Sequence, residues 1–271
     1  MKLCIILCII VMCLIMVYKY KNMHQFVFIS PVRYPNVNVH DKQRIPKIIH
    51  QTHKYNNVPP NMAKSIHSWR NMNPEYEHRY YTDEDMNNIM SNTPDTIQQA
   101  YRKLCRDYSS LGAMKADLFR LVLMYLYGGV YADADTYAIT PLQKIIKNND
   151  EFISGTGRRK DLHQWIIITI PKHPFIKAAL YGTVDSILNT KPVTYESWTG
   201  PPIYNKSISK YCQQNHSKLD MNPGVHTIIN QSGDTYRYRI IPGDYLGNQV
   251  GFKYDGYLND LHQMNIKYYN E

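Results

Sequence analysis

Residues 128–140 read GGVYADADTYAIT, with Asp133 and Asp135 on either side of a single alanine, after two glycines and a short β-prone run. Alternate side chains of an extended segment share a face, so this spacing predicts two carboxylates pointing the same way, roughly 6–7 Å apart. Like charges that close disfavour each other's ionised form. A cation removes the penalty, and carboxylate oxygens are the ligands that hard Mg²⁺ and Mn²⁺ prefer. Such an ion acts as a Lewis acid on a diphosphate. The same spacing also occurs in ordinary surface loops. A second charged pair stands just upstream: Asp117 and Arg120 lie three residues apart, hence on one side of a helix. A structural ion pair and a ligand-holding pair both fit those two.

The elements that would position these residues can be read from periodicity. IPKIIHQTHK at 45–54 reads as a first short strand carrying Ile45, Ile48 and Ile49. Met62, Ile66 and Trp69 fall at helical spacing after Pro59-Pro60. EYEHRYYT is a second strand. Thr93-Pro94 supplies an N-cap and first-turn proline for a helix striped with Ile97, Ala100, Tyr101 and Leu104. The strongest helix runs from about Ser110 to Tyr127, burying Leu118, Leu121, Val122 and Tyr125, with Gly128-Gly129 able to cap it. One tight connection therefore joins Asp117 and Arg120 to the aspartate pair. WIIITI at 165–170 is continuously apolar, as a strand covered on both faces would be. Another helix spans Phe175 to Leu188. Alternating strands and helices predict an α/β layered domain with a mostly parallel sheet, whose ligands bind outside the carboxyl ends of the strands. Beyond residue 195 the pattern reads as Pro-, Gly- and Tyr-rich loops and short strands. GTG at 155–157 reads as a turn.

With 271 residues the chain can hold one good-sized domain. Leu3 to Tyr18 is apolar and uncharged, close to the roughly 17–25 residues of a spanning helix, with no small-residue cleavage site after it. An uncleaved signal anchor is the expectation, ahead of a cleaved signal or a buried core helix. Lys2 opposes Lys19 and Lys21, so charge does not orient it. The predicted division is an anchor at 1–20, a tether at 21–44 and a catalytic domain at 45–271. The whole chain carries a net charge of +9; residues 1–30 account for three lysines and no acid, leaving +6. That balance suits an anionic partner, but no block of like charges points to nucleic acid. Cys105 and Cys212 form one possible pair without metal-ligand spacing. Sequons begin at Asn205, Asn215 and Asn230.

AMKADLFRLVLMYLYGGVYADADT resembles the signature of family 32 glycosyltransferases, the DXD sugar-binding group, which includes fungal initiating α-1,6-mannosyltransferases, inositol-phosphoceramide mannosyltransferases and, more distantly, clostridial toxin glucosyltransferases. IPKIIHQT at 45–52 and SWRNMNPEYEHRYYTDED at 68–85 resemble the group's other blocks, in the same order. The resemblance implies a GT-A fold, a Rossmann-like α/β/α sandwich that binds a nucleotide-diphosphate sugar. By position it implies Asp135 as a direct ligand of Mn²⁺ or Mg²⁺, and Asp133 as a metal, ribose and sugar contact. Asp117 and Arg120 would hold donor-sugar hydroxyls. His50, Gln51 and Thr52 would line the nucleotide pocket, and Thr199 and Gly200, within WTGPP, would border the acceptor side. Asp133, Asp135 and Arg120 are thus the expected catalytic residues. Retention of anomeric configuration is implied, with the departing diphosphate helping to deprotonate the acceptor. A glycan or glycolipid acceptor, a mannose donor and a type II single-pass arrangement facing an ER/Golgi-like lumen follow from the same resemblance.

The sequence departs from the pattern twice. His53 stands where many relatives have Trp, and the C-terminal block with its His and Ser-Trp is not recognisable, His262 being the nearest substitute. That second departure keeps open an inactive GT-A domain that binds a sugar or nucleotide. A metal-dependent phosphodiesterase would need more clustered Asp, Glu and His than this stretch shows.

Overall fold

The computed structural model describes residues 11–12, 26–33, 42–156 and 161–266. The expected anchor lies outside these, apart from Val11 and Met12; among the described residues no helix is long and apolar enough to cross a membrane.

Short strands β1 (Val27–Phe28) and β2 (Val32–Arg33) precede β3 (Ile48–Thr52) and β4 (Asn57–Val58). Helix α1 (Pro60–Met72) begins with Pro60, where a proline loses nothing because that N–H has no partner in the helix. Its buried Met62, Ile66 and Trp69 are the predicted stripe. After β5 (Glu77–Tyr81), Thr82 and Asp85 form a reciprocal capping box that starts α2 (Asp83–Met90). Helix α3 (Asp95–Asp107) has Pro94 at its cap; the Thr93 hydroxyl, expected to cap it, donates instead to the Met90 carbonyl at 2.7 Å. Helix α4 (Gly112–Leu126) is buried on nearly every side, including Phe119, Leu123 and Met124 outside the expected stripe.

Strands β6 (Gly129–Ala132) and β7 (Thr136–Ala138) flank the aspartates; α5 (Leu142–Ile145), β8 (Phe152–Gly155) and β9 (Ile166–Thr169) follow. Helices α6 (Pro174–Asn189), α7 (Tyr195–Thr199) and α8 (Pro201–Gln214) then pack together. Helix α8 corrects the expectation of loops and short strands beyond residue 195. Its buried face is Tyr204, Ser207, Ile208 and Cys212, a stripe with one aliphatic residue, which hydrophobic periodicity does not register. The hairpin β10 (Gly224–Ile229) and β11 (Thr235–Ile241), then β12 (Val250–Phe252) and α9 (Tyr257–Gln263), complete the fold.

The central sheet has the order β10-β11-β8-β9-β6-β3-β5-β2. Strands β3, β5, β6, β8 and β11 run one way and β2, β9 and β10 the other, so the sheet is mixed, with five of its eight strands aligned. Within the apolar run at 165–170, strand β9 is fully buried, but it lies antiparallel to both neighbours. Alternation divides the sheet between two cores. Tyr131 and Ile167 join Leu118, Phe175, Leu180 and Tyr204 on one face, whereas Val130, Ala132, Ile166 and Ile168 join Trp69, Leu142 and Ile145 on the other. Helices therefore cover both faces. The chain leaves β3 for β5 on one side, then returns to β6 on the other, and this reversal opens a crevice outside the carboxyl ends of β3 and β6.

Candidate active site

The crevice is a cleft of about 600 Å³ lined, among others, by Thr52, His53, Asp83, Lys115, Asp117, Arg120, Asp133, Asp135, Trp165 and Lys253. Two glycines aim the aspartates into it. Gly128 (φ +62°) ends α4 by donating to the Met124 carbonyl, and Gly129 (φ +92°) opens β6 hard against the Ile48 carbonyl. A side chain in place of either glycine would strain the backbone and collide.

The aspartates themselves do not lie in a strand. Strand β6 stops at Ala132, and residues 133–136 form a turn closed by the Thr136 N–H donating to the Asp133 carbonyl at 3.0 Å. The alternation argument therefore does not apply. The turn brings both carboxylates to the cleft while Ala134 packs with Met62, Ile66 and Leu261. Backbone bonds hold it: the Asp133 N–H donates to the Trp165 carbonyl at 3.0 Å, and Trp69 Nε1 donates to the Thr136 carbonyl at 3.1 Å.

Arg120 joins the two charged pairs. It meets Asp117 Oδ1 and Asp133 Oδ1, each at 2.9 Å, and lies over the Tyr131 ring. Asp117 also accepts from the Thr199 hydroxyl at 2.9 Å, and Asp133 accepts from the Tyr131 hydroxyl at 2.8 Å. Burial raises the Asp133 carboxyl above its ordinary range against the lowering effect of Arg120. Asp135 is pushed up to about 7, chiefly by burial and then by the neighbouring Asp133 charge, with Lys253 opposing. Its Oδ1 is buried with no hydrogen-bond partner. A buried carboxylate oxygen without a donor, beside a second carboxylate, is what a divalent cation would satisfy. The donor set fits Mg²⁺ or Mn²⁺ held by two carboxylates, with remaining positions left for ligand oxygens and water. Among the described residues no third His, Cys, Asp or Glu joins a metal-binding group.

The other expected site residues divide. Thr52 lines the cleft, but His50 and Gln51 do not. His50 is locked by the Tyr81 hydroxyl (2.9 Å) and the Gly128 carbonyl (3.0 Å), and burial lowers its pKa to about 3. Gln51 bonds His78 at 2.8 Å and donates to the Asp133 carbonyl at 3.4 Å, so it braces the turn from behind. Thr199 and Gly200 lie behind Asp117, and Pro201 reaches the cleft instead. His262 is exposed on α9 and does not line the cleft. Cys105 and Cys212 are free thiols. The Asn205 side chain bonds both the N–H and the carbonyl of Leu162, which occupies its sequon amide.

Sequence reasoning missed Trp165, Lys253, Asp83 and Lys115. Lys253 arrives because β12 pairs antiparallel with β7, the strand that leaves the aspartate turn. Trp165 packs on Phe252 with ring centroids 4.9 Å apart and the rings tilted by 32°. The segment 252–266, where no C-terminal block was recognised, therefore borders the cleft through Phe252, Lys253, Tyr257, Leu261, Asn265 and Ile266. No local signal marks this long-range pairing.

Comparison with known proteins places residues 59–152 in the family described as a glycosyltransferase sugar-binding region containing DXD motif. The chain is 24% identical over 192 residues to inositol phosphoceramide mannosyltransferase 1 of Schizosaccharomyces pombe, covering 68% of this chain and 58% of that one. It is 25% identical to the initiation-specific α-1,6-mannosyltransferase of Candida albicans, covering 63% and 54%. To a mannosyl phosphorylinositol ceramide synthase of Saccharomyces cerevisiae it is 33% identical, over 49% and 34%. This chain thus spans little more than half the length of the first two relatives. A solved structure, PaToxG glycosyltransferase, aligns at a TM-score of 0.47 with 15% identity, covering 62% of this chain and 69% of that one.

Proposed function

We propose that this chain, whose residues 59–152 match the glycosyltransferase sugar-binding region containing DXD motif, transfers a hexose from a nucleotide-diphosphate sugar to a hydroxyl of a glycan or glycolipid. Mannose is the favoured hexose, because the relatives named above are mannosyltransferases. The observation that carries the reading is the Asp133–Asp135 turn at the crevice, with Asp135 Oδ1 buried and unpartnered beside a second carboxylate.

In this GT-A reading Asp135 and Asp133 would hold Mn²⁺ or Mg²⁺. Bound there, the ion supplies Lewis-acid stabilisation of the leaving group. The protein's own part is electrostatic preorganisation. Arg120, fixed by Asp117 and Asp133, and Lys253, which also lines the cleft, place positive charge where the diphosphate gains negative charge. Asp117, oriented by the Thr199 hydroxyl, accepts a hydrogen bond from a donor-sugar hydroxyl. Phe252, Trp165 and Leu261 exclude water from the cleft. Transfer proceeds with retention, the departing diphosphate taking the acceptor proton. The apolar run Leu3–Tyr18 anchors the domain to a membrane in a type II arrangement facing an ER/Golgi-like lumen.

A panel of UDP- and GDP-hexoses with Mn²⁺, read by released nucleotide and by product on mannose-terminated acceptors, tests the reading. Asp135→Asn is expected to lower transfer at least about 100-fold while the far-UV circular dichroism stays unchanged, since a lost metal ligand removes several kcal/mol of transition-state stabilisation. Normal transfer by that variant overturns the metal assignment. Mn²⁺-dependent hydrolysis or binding without transfer to any acceptor supports instead a sugar-nucleotide-binding module.

A further inference from the structure

At the edge of the sheet farthest from the cleft, the hairpin β10–β11 combines a free strand with an acceptor asparagine. Among the described residues β10 is an end strand, with β11 as its one sheet neighbour. Alternation buries Ile228 in the core and turns Val225, Thr227 and Ile229 the other way, Val225 being 50% and Ile229 58% exposed. An end strand bearing β-branched residues offers its open N–H and C=O groups to a second chain. Proteins block such edges with lysine, proline, a bulge or a covering group. The strand GVHTII holds no lysine or proline, and its register against β11 is unbroken. A cover is the remaining device.

The sequon Asn230-Gln231-Ser232 begins one residue beyond Ile229. The loop 230–234 is folded around the Asn230 side chain, whose Oδ1 accepts from the N–H groups of Ser232 at 2.9 Å and Asp234 at 2.8 Å. Its Nδ2 donates to Asp234 Oδ2 at 2.9 Å on the exposed surface. An amide nitrogen carries two hydrogens, so the Asp234 bond survives replacement of the other one. The fold uses the other two sequons differently. Asn205 gives away both of its N–H groups, to the Leu162 carbonyl at 3.1 Å and the Pro201 carbonyl at 3.0 Å. Asn215 is wedged between α8 and the hairpin, donating to the Tyr211 carbonyl at 2.7 Å and accepting from the Gln231 N–H at 2.8 Å. A large substituent on either would break a part-buried contact.

The hairpin tip also stands clear of the chemistry. Strand β11 runs the same way as β6, so the loop before it lies at the amino end of the sheet, opposite the cleft. Strand β10 is four places from β6 in the sheet order, about 19 Å at the usual strand spacing.

We propose that Asn230 carries an N-linked oligosaccharide that covers the free edge of β10. The inference rests on the reading that the domain faces a secretory lumen. In the attachment, the Asn230 amide nitrogen bonds to the anomeric carbon of an oligosaccharide carried on a polyprenyl diphosphate. The bond from that carbon to the diphosphate oxygen breaks, and the polyprenyl diphosphate leaves with the electron pair. The amide gives up one proton to a base, and nothing is oxidised or reduced. The attached sugar is bulky and hydrated, and it denies a second chain access to Val225, Thr227 and Ile229.

The test expresses the full chain in a eukaryotic secretory cell with a reporter sequon, Asn-Gly-Thr, appended after Glu271, and maps glycans by peptide mass spectrometry. Asn230 and the reporter are expected to be modified, and Asn205 and Asn215 to be bare. Ser232→Ala removes the sequon and keeps the backbone bonds of the loop. It should lose the Asn230 glycan, keep wild-type transfer activity and elute earlier in size-exclusion chromatography through self-association. Adding Thr227→Lys to that variant should restore the wild-type elution, because a charge on the edge replaces the cover. A modified reporter beside a bare Asn230 overturns the site while the lumenal reading stands. A bare reporter and a bare Asn230 overturn both together. A modified Asn230 whose loss leaves the elution unchanged overturns the covering role.

Discussion

His50 shows at the residue scale why a polar side chain at a strand end need not face the ligand. It lies in a strand flanked by β5 and β6, and its two ring nitrogens are used by Tyr81 and Gly128, so it fixes the glycine that turns α4 into β6. Its folded pKa, lowered to about 3 from 6.5, has a consequence for stability. The unfolded chain binds a proton at this ring below about pH 6.5, whereas the folded chain does not until about pH 3. The contribution is present in full above pH 6.5 and is lost as pH falls through that window, by up to about 1.4 kcal/mol per pH unit. Urea midpoints measured between pH 7 and 5 should therefore fall less steeply for His50→Gln than for the wild type. The variant should also be less stable at pH 7, because the Tyr81 and Gly128 bonds are gone. Which of His50, Gln51 and Thr52 reaches the cleft was not legible from composition, since all three are buried. The answer depends on partners 27 and more residues away.

At the scale of elements, the local punctuation was the legible part. Pro59-Pro60, the glycine pair and the apolar stripe of α4 all mark real boundaries, because each acts on backbone geometry within a few residues. The turn at 133–136 was misread as strand because β-prone residues lie on both sides of it. What breaks the strand is the Thr136-to-Asp133 hydrogen bond, which leaves no pattern in residue type. Helix α8 was missed for a related reason: tyrosine, serine and cysteine form its buried stripe, and none is a strong hydrophobic marker. The glycine pair carries the element-scale prediction. A Cβ at Gly129 would lie 2.5 Å from the Ile48 carbonyl oxygen at a φ of +92°. Gly129→Ala is expected to cost about 2–5 kcal/mol, read as a lowered urea midpoint, since both strain and overpacking contribute. Its damage to transfer should exceed that of an equally destabilising core change such as Ile208→Ala, because it also moves the aspartate turn.

The molecule as a whole completes its cleft from distant parts of the chain. Residues near 52, 83, 117, 133, 165 and 253 meet only after the sheet has formed and β12 has joined β7. The aspartate turn brings charge that is costly without a ligand. The two carboxylates repel each other, and Asp135 Oδ1 lacks a donor. A ligand that binds only the folded state stabilises it by mass action. Mn²⁺ with a nucleoside diphosphate should thus raise the Tm by several degrees, EDTA should reverse the rise, and Asp135→Asn should show almost none of it.

The chain's three tryptophans differ in one useful respect. Trp69 and Trp198 are sealed in the two cores at 0% and 2% exposure, whereas Trp165 forms part of the cleft wall. Intrinsic emission therefore carries one reporter in the cleft wall and two buried away from solvent. Donor arrival should dim or shift the signal of the wild type and change that of Trp165→Phe far less, so the protein can be titrated without any attached dye.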